Sequence, residues 1–191
     1  MSVVIKYPFH INGIKLAGRN GGIGNQEDVD LLYKYASLGD SYIEIGVFFG
    51  SSLVIAGLAC DGELHGIDPF DGMNKPGRPD DVTGLIPSVD HVITNMDRFG
   101  IDRDRVHLHV QRHPPWPEAI KDKKFDVGLI DGLHTYDACL ADWEAMREHV
   151  TKYILFHDYN KSTVRRVVDV ATASEWQLIE LGNKMAVIGN E

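Results

Sequence analysis

From residue 41 to residue 188, the sequence alternates between short apolar runs typical of strands and longer stretches typical of helices. Strands joined through helices run parallel, so this alternation predicts an α/β fold with helices on both faces of the sheet. The predicted strands are 41–47, 64–67, 105–110, 125–130, 152–156, 176–181 and 185–188. Gly182–Asn183, between the last two, is typical of a tight antiparallel turn. The sequence therefore predicts a seven-stranded, mostly parallel sheet with an antiparallel closing strand.

A single domain of residues 25–191 accounts for the alternation, and the 191-residue chain is long enough to bury a core. An N-terminal arm or loop of residues 1–24 precedes it, because this stretch is rich in glycine and lacks apolar periodicity. Asn25 is a typical N-cap residue and predicts the start of the first helix. Cys60 and Cys139 belong to no CxxC pair, and we expect two reduced core residues rather than one disulfide.

The charge of the chain limits its partners. Asp and Glu number 28 against 19 Lys and Arg, which gives a formal net charge of -9. Such a chain repels a phosphate backbone, so we expect no nucleic-acid partner. No apolar run approaches the length of about 18 residues that a membrane span needs, and residues 1–10 lack the apolar core of a signal peptide. A cytoplasmic protein without membrane contact is the expectation.

Acidic residues at the predicted strand ends indicate where a ligand binds. In an open parallel sheet, ligands bind beyond the carboxyl ends of the strands, where the strand order switches. Asp68, Asp131 and Asp158 stand at such ends, and Glu44 lies inside the first predicted strand. Carboxylates from neighbouring strands, about 4.8 Å apart, can converge on one point. These four residues are therefore the first candidates for a site.

The first strand leads into its helix through a glycine turn. Gly46 and Gly50 permit a tight turn and a close approach of the backbone to a ligand, and the helix that follows offers free N–H groups. A plain turn without a ligand explains the glycines equally well. The spacing is not the G-x-G-x-x-G of a dinucleotide-binding fold, which argues against a nicotinamide cofactor.

Asp68 and the later acids each have two interpretations. Asp68 can accept hydrogen bonds from both hydroxyls of a ribose, or it can cap the loop that follows it. Asp131, His157 and Asp158 can form a divalent-metal site, or His157 and Asp158 can be a hydrogen-bonded loop pair. His107 and His109, with His113 nearby, can form a second metal cluster, although a partly exposed strand explains them more simply.

Four segments together resemble a known family: EIGVFFGSS (44–52), GIDPF (66–70), LIDGLHTYDACLADW (129–143) and FHDY (156–159). They are similar to class I O-methyltransferases of the macrocin and mycinamicin type, and more distantly to caffeoyl-CoA O-methyltransferases. The resemblance covers residues 25–188 and implies a Rossmann-like class I methyltransferase fold. It also implies S-adenosylmethionine (SAM) as cofactor and a divalent metal, Mg²⁺ or Mn²⁺.

The resemblance also assigns roles to individual residues. Asp131 is placed among both the cofactor-binding and the metal-binding residues, and His134 matches the catalytic base. His157 stands where relatives carry Glu or Asn, and an imidazole favours Mn²⁺ or a later transition metal over Mg²⁺. The remaining assignments are Glu44, Gly46, Gly50 and Ser51 for the methionine part of SAM, Asp68 for its ribose, Gln111 for its adenine, and Asp131 and Asp158 for the metal. The convergence of the strand ends adds His157 to the predicted metal ligands.

Three functional hypotheses follow from the sequence. The first is metal-assisted O-methylation of a small-molecule hydroxyl, on a sugar, a phenol or a polyketide. The second is a metal-independent SAM methyltransferase that acts on oxygen or nitrogen. The third is a non-catalytic nucleoside-binding module or an oxidoreductase on a similar sheet. A homo-oligomer is compatible with all three.

Overall fold

The computed structural model describes residues 25–72 and 75–190, together with the strand residues 5–6, 10–11 and 14–15. Five helices are α1 (Gln26–Ala36), α2 (Ser51–Ala59), α3 (Val89–Arg98), α4 (Tyr136–His149) and α5 (Ser162–Thr172). Three short N-terminal strands are β1 (Ile5–Lys6), β2 (His10–Ile11) and β3 (Ile14–Lys15). The main sheet contains β4 (Ser41–Ile45), β5 (Glu63–Asp68), β6 (Val106–Val110), β7 (Phe125–Ile130), β8 (Val150–His157), β9 (Gln177–Leu181) and β10 (Met185–Gly189).

The main sheet has seven strands in the order β6-β5-β4-β7-β8-β10-β9. The pairs from β6 to β8 are parallel, and β10 is antiparallel to both of its neighbours. The predicted sheet and its closing strand are therefore confirmed. The strand order switches between β4 and β7, because the chain passes from β4 outward to β5 and β6 and then returns to β7 on the other side. A ligand site is expected at this switch.

Apolar side chains cover both faces of the sheet, as the alternation predicts. Helices α1, α2 and α3 pack on one face through residues such as Leu32, Leu53 and Val92. Helices α4 and α5 pack on the other face, where Trp143 and Val167 are buried. Because successive residues of a strand point to opposite faces, each central strand contributes to both cores.

Local signals in the sequence explain the helix starts nearest the site. Asn25 Oδ1 accepts a hydrogen bond from Asp28 N at 3.0 Å, which confirms the predicted cap of α1. Helix α2 is apolar around most of its circumference and buries seven of its nine residues. Its N-cap is Gly50, with φ 81°, so no side chain caps the helix and its first N–H groups face the turn after β4.

Two details go beyond or differ from the sequence prediction, and the expectation of two reduced core cysteines is confirmed. The N-terminal arm contains the small antiparallel sheet β1-β2-β3, while the rest of residues 1–24 lies outside the described residues. Between β6 and β7 the chain forms a 3-10 turn, Glu118–Ile120, and no α-helix lies within residues 111–124. Cys60 and Cys139 are free and buried, in different cores. No helix in the described part of the chain is long and apolar enough to cross a membrane.

Candidate functional site

The carboxyl ends of β4, β5, β7 and β8 bring the predicted site residues to one edge of the sheet. Two hydrogen bonds extend the parallel pairing just beyond β4: Gly46 N donates to Ile67 O, and Asp131 N donates to Ile45 O, both at 2.9 Å. The turn after β4 therefore lies directly between the end of β5, which carries Asp68, and the end of β7, which precedes Asp131.

The turn after β4 requires glycine at Gly46. Its φ is 93°, a conformation that L side chains rarely adopt, and a Cβ there would lie 2.2 Å from Asp131 O. Gly50 has φ 81°, and a Cβ there would lie 2.9 Å from Val92 Cγ1. Phe48, between them, has φ 56° although it is not a glycine. The turn thus combines three residues of positive φ with close contacts to the loop after β7, through Gly46, and to helix α3, through Gly50.

Asp68 binds the turn itself. Its Oδ2 accepts hydrogen bonds from Val47 N at 2.9 Å and from Phe48 N at 3.0 Å, and its Oδ1 accepts one from Phe70 N at 2.7 Å. Burial raises the pKa of Asp68, and these three bonds oppose that rise. The loop-capping interpretation is therefore confirmed through Phe70. A carboxylate has about four acceptor sites, so roughly one, on Oδ1, remains for a ribose hydroxyl.

Glu44 is fully buried beneath the turn. Its Oε2 accepts a hydrogen bond from Tyr42 OH at 2.8 Å, and its Oε1 accepts one from Ser52 Oγ at 3.0 Å. Burial raises the pKa of Glu44 well above its usual range, against the effect of the two hydroxyls. A nearby ammonium group would favour the ionised form. The hydrogen bond from Ser52 also connects β4 to the first turn of α2, which contains Ser51.

Gln111 follows β6, and its side-chain amide makes a hydrogen bond within its own loop. Its Nε2 donates to Pro115 O at 2.7 Å, and its backbone N donates to His109 O at 3.0 Å. Neither bond reaches the turn after β4. The assignment of Gln111 to an adenine therefore stays a prediction.

Asp131 and His157 form an ion pair at the ends of β7 and β8. His157 Nδ1 lies 3.0 Å from Asp131 Oδ1. Burial acts to raise the pKa of Asp131, but the charge of His157 and the hydrogen bonds from His157 and His134 outweigh it, so this pKa is lowered. Burial acts to lower the pKa of His157, but Asp131 outweighs that effect, so this pKa is raised. His157 Nε2 is buried and has no hydrogen-bond partner in the described part of the chain.

Asp131, His134 and Asp158 converge on one point. Ligand atoms of these three side chains all lie within 4.8 Å of one another. His134 Nε2 lies 3.4 Å from Asp131 Oδ1 and 3.2 Å from Asp158 Oδ2. The three side chains are 15%, 25% and 17% exposed in that order, so a ligand can reach them. The sequence prediction grouped His157 with the two acids, and its Nδ1 lies 3.0 Å from Asp131 Oδ1 and 3.9 Å from Asp158 Oδ1. The structure adds His134 to this group.

Lys161 completes this cluster. Its Nζ lies 2.6 Å from Asp158 Oδ2 and 2.9 Å from His134 Nδ1. Because an ammonium group only donates hydrogen bonds, His134 Nδ1 accepts and its Nε2 carries the proton. Thr163 Oγ1 donates to His134 O at 2.6 Å and fixes the loop that carries the imidazole. Asp158 itself has φ 56°, so the loop after β8 is also held in an unusual conformation.

The two carboxylates and the imidazole fit a divalent metal ion. Carboxylate oxygens suit Mg²⁺ or Mn²⁺, and an imidazole in the set favours Mn²⁺ or a later metal. Lys161 now supplies the positive charge beside Asp158, so a metal ion would have to displace this ammonium. The side chain of Lys161 is 42% exposed, which leaves it free to move towards solvent.

Comparison with known proteins gives the family. Residues 43–159, more than half of the chain, match the family described as "Methyltransferase domain". The chain belongs to this methyltransferase family. The matched region begins in β4 and ends just after β8, so it contains the glycine turn and Asp131, His134 and Asp158. The resemblance to methyltransferases that the sequence segments indicated is therefore confirmed. No curated protein matches the sequence significantly.

Solved structures share the fold at low sequence identity. An O-methyltransferase from Bacillus cereus, crystallised with S-adenosylhomocysteine (SAH), is 14% identical with a TM-score of 0.64, over 88% of this chain and 82% of the other. The O-methyltransferase TomG from Streptomyces achromogenes, in complex with SAM, is 16% identical with a TM-score of 0.58, over 85% and 78%. A putative rRNA methylase from Clostridium thermocellum is 11% identical with a TM-score of 0.60, over 88% and 100%. The class I methyltransferase fold is thus confirmed, and it is common to methyltransferases with different acceptors.

Sequence reasoning missed several residues that contact the predicted site residues. Lys161 stands three residues after Asp158, at the start of α5, and that spacing was the available signal. Tyr42 lies two residues before Glu44 on the same face of β4, and Ser52 lies in the first turn of α2. His113 was considered together with His107 and His109, but its Nδ1 lies 2.7 Å from Asp142 Oδ1 on α4.

We predict that Gly46→Ala destabilises the protein more than Gly100→Ala. Both glycines have positive φ, 93° and 68°, but a Cβ at Gly100 meets nothing within 4 Å. The shared backbone strain costs about 1–2 kcal/mol, and the overlap with Asp131 O adds about 1–3 kcal/mol at Gly46 only. Urea unfolding measures both free energies. Equal losses would contradict the close contact between the turn and the acidic loop.

Proposed function

We propose that this protein is a SAM-dependent O-methyltransferase that acts on a hydroxyl of a small molecule with the assistance of a divalent metal. The observation that carries the proposal is the convergence of Asp131, His134 and Asp158 within 4.8 Å, directly beside the turn at Gly46. A cofactor bound on the turn would therefore present its reactive group next to two acids and an imidazole.

The turn and its surroundings support SAM as the cofactor. Gly46, Gly50 and the N–H groups at Ser51 leave room and donors for the methionine part, with Glu44 beneath them. Asp68 offers its remaining acceptor to the ribose, and Gln111 is proposed to lie near the adenine. The B. cereus and TomG structures of the same fold contain SAH and SAM.

Most of the catalytic work in this reaction is alignment. The methyl group of SAM is already activated by the sulfonium, so the protein must hold the acceptor oxygen in line with the S–CH₃ bond. Such positioning can supply about 7–11 kcal/mol of the barrier. The loops after β7 and β8, fixed by Thr163 and by the ion pair of Asp131 with His157, provide a rigid frame for it.

Asp131 and Asp158 would hold the metal ion. When bound, the ion would supply positive charge that binds the acceptor hydroxyl and lowers its pKa. His157 would keep Asp131 ionised and oriented through its Nδ1. Direct ligation through this Nδ1, as the sequence predicts, would require the imidazole to give up the proton that it shares with Asp131.

His134 is proposed to take the proton of the acceptor hydroxyl. In the arrangement with Lys161, Nε2 already carries a proton and cannot accept another. When Lys161 withdraws, the proton can move to Nδ1, and Nε2 then offers its lone pair to the hydroxyl. Lys161 would thus keep the imidazole in an inactive tautomer until a metal or the acceptor displaces its ammonium group.

The overall charge favours a small acceptor over a nucleic acid. The fold is shared with a putative rRNA methylase, so the fold does not decide between them. A net charge of -9 opposes binding of RNA. A sugar, phenol or polyketide hydroxyl is therefore proposed as the acceptor. Cytoplasmic location and a homo-oligomeric state stay predictions.

We predict that the protein binds SAH, measured by isothermal titration calorimetry, and does not bind NAD. Asp68→Ala should weaken the affinity for SAH sharply, because it removes the ribose acceptor and three bonds that shape the turn. Asp126→Ala, near the start of β7 and so at the opposite end of the parallel strands, is the control and should leave the affinity unchanged. Binding of NAD instead of SAH would support the oxidoreductase and contradict the proposal.

We predict that the wild-type protein binds Mn²⁺ and that Lys161→Met binds it more tightly, because the competing ammonium group is gone. Asp158→Asn should bind it more weakly, since a charged ligand is lost. Calorimetric titration with MnCl₂ measures all three affinities. Lys121→Met, which removes a surface lysine paired with Glu118, is the control. Absence of Mn²⁺ binding at this cluster would favour the metal-independent alternative.

We predict that His134→Ala slows methyl transfer by about 10²–10⁴-fold, the usual contribution of a general base. The affinity for SAH should stay the same, because His134 is not among the residues assigned to SAM. Release of SAH from SAM in the presence of phenol, sugar and polyketide acceptors measures the rate. His149→Gln, at the far end of α4, should keep full activity. Full activity of His134→Ala would remove it as the base.

A further inference from the structure

A second cluster of metal-binding side chains lies at the other end of β5. Glu63 and His65 stand two residues apart on β5, so they share one face. His107 on β6 pairs directly with His65, and His109 lies two residues further along the same face. This face belongs to the side of the sheet that α4 and α5 cover, but the 3-10 turn after β6 leaves the edge beside β6 without a helix.

The atoms of this cluster are close enough to bind one ion. Glu63 Oε2 lies 3.4 Å from His65 Nε2, and Glu63 Oε1 lies 3.9 Å from His107 Nε2. One ligand atom from each of the three side chains lies within 4.8 Å of those of the other two.

One nitrogen of the cluster lacks a partner. His107 Nε2 is buried and makes no hydrogen bond within the described part of the chain, although the side chain is 39% exposed. The nitrogen is turned towards Glu63 at a distance too long for a hydrogen bond. A buried polar atom without a partner is rare and calls for an explanation, such as an ion.

His109 completes the arrangement expected around a metal-binding imidazole. Its Nε2 lies 3.1 Å from His65 Nδ1. When His65 Nδ1 donates its proton to His109, His65 Nε2 is left with a free lone pair directed at Glu63. Imidazoles that bind metals usually donate their other N–H to an acceptor in this way, which fixes the tautomer.

We propose that Glu63, His65 and His107 bind a zinc-type transition-metal ion, with His109 as a positioning residue. Two imidazoles and one carboxylate are a typical Zn²⁺ set, with a fourth position open to water. Glu63 stands at the start of β5 and Asp68 at its end, about 16 Å apart along the strand. The site is therefore separate from the methyltransferase cluster. Lys123 pairs with Glu63, and a bound ion would displace its half-exposed ammonium group.

Titration of the tag-free protein with ZnCl₂, followed by calorimetry, tests this proposal. The Asp131→Asn/Asp158→Asn variant serves as background, because it removes the other acidic cluster. One equivalent of Zn²⁺ should bind in this background. Glu63→Gln and His107→Gln should each weaken the affinity by at least about tenfold, and His109→Gln by about 10–100-fold. Glu63 and His107 are partly exposed, so both variants should fold, as far-UV circular dichroism checks.

Glu118→Gln is the matched control, because Glu118 is an exposed glutamate that also pairs with a lysine. Its affinity for Zn²⁺ should equal that of the background variant. Equal affinities in the Glu63, His107 and control variants would overturn the proposal, as would the absence of binding in the background. The histidines would then be side chains of a partly exposed strand.

Discussion

The hydrogen bonds that extend the parallel sheet beyond β4 fix the geometry on which the site depends. Gly46 N bonds to the chain at the end of β5, and Asp131 N bonds to the chain at the end of β4. The positive φ of Gly46 lets the backbone pass within contact distance of Asp131 O. The turn, Asp68 and the cluster of Asp131, His134 and Asp158 are therefore fixed relative to one another. A small displacement of one would change the positions of the others.

Charge compensation keeps this edge of the sheet stable without a ligand. Asp131 is paired with His157, Asp158 with Lys161, and Glu44 is held by two hydroxyls. Asp68 is satisfied by three backbone N–H groups. Each partner reduces the cost of burying an acid. A cofactor or a metal ion that binds these acids would therefore replace contacts that they already make.

Most of the fold could be predicted from the sequence because it depends on local periodicity. The alternation of strands and helices, the buried α2 and the closing hairpin all carry short-range signals, and the acids at the strand ends follow from the sheet. Contacts between distant segments could not be predicted. The three bonds of Asp68, the contact of Lys161 with His134 and the pairing of His113 with Asp142 depend on loop conformations. The grouping of Glu63 with His107 depends on the register of β5 and β6.

Two differences show where a local pattern gave an incomplete result. The sequence segment FHDY suggested that His157 and Asp158 act together on a metal. His157 Nδ1 lies nearer to Asp131 than to Asp158, at 3.0 Å against 3.9 Å. His134, which that segment does not contain, reaches both acids as well. The alternation of strands and helices also suggests a helix before β7, but this connection contains prolines at 114, 115 and 117 and forms only a 3-10 turn. No helix of the described residues therefore covers the sheet beside β6, and the cluster of Glu63, His65 and His107 lies there.

The account as a whole requires that a nucleoside thioether and a metal ion meet at the ends of the central strands. A crystal structure of the protein soaked with S-adenosylhomocysteine and Mn²⁺ measures this directly. We expect the adenosyl compound above Gly46, next to Asp68, with Mn²⁺ about 2.0–2.5 Å from carboxylate oxygens of Asp131 and Asp158. A structure in which the adenosyl compound binds elsewhere, or in which Asp68 and Asp131 face away from a common cleft, would contradict the account.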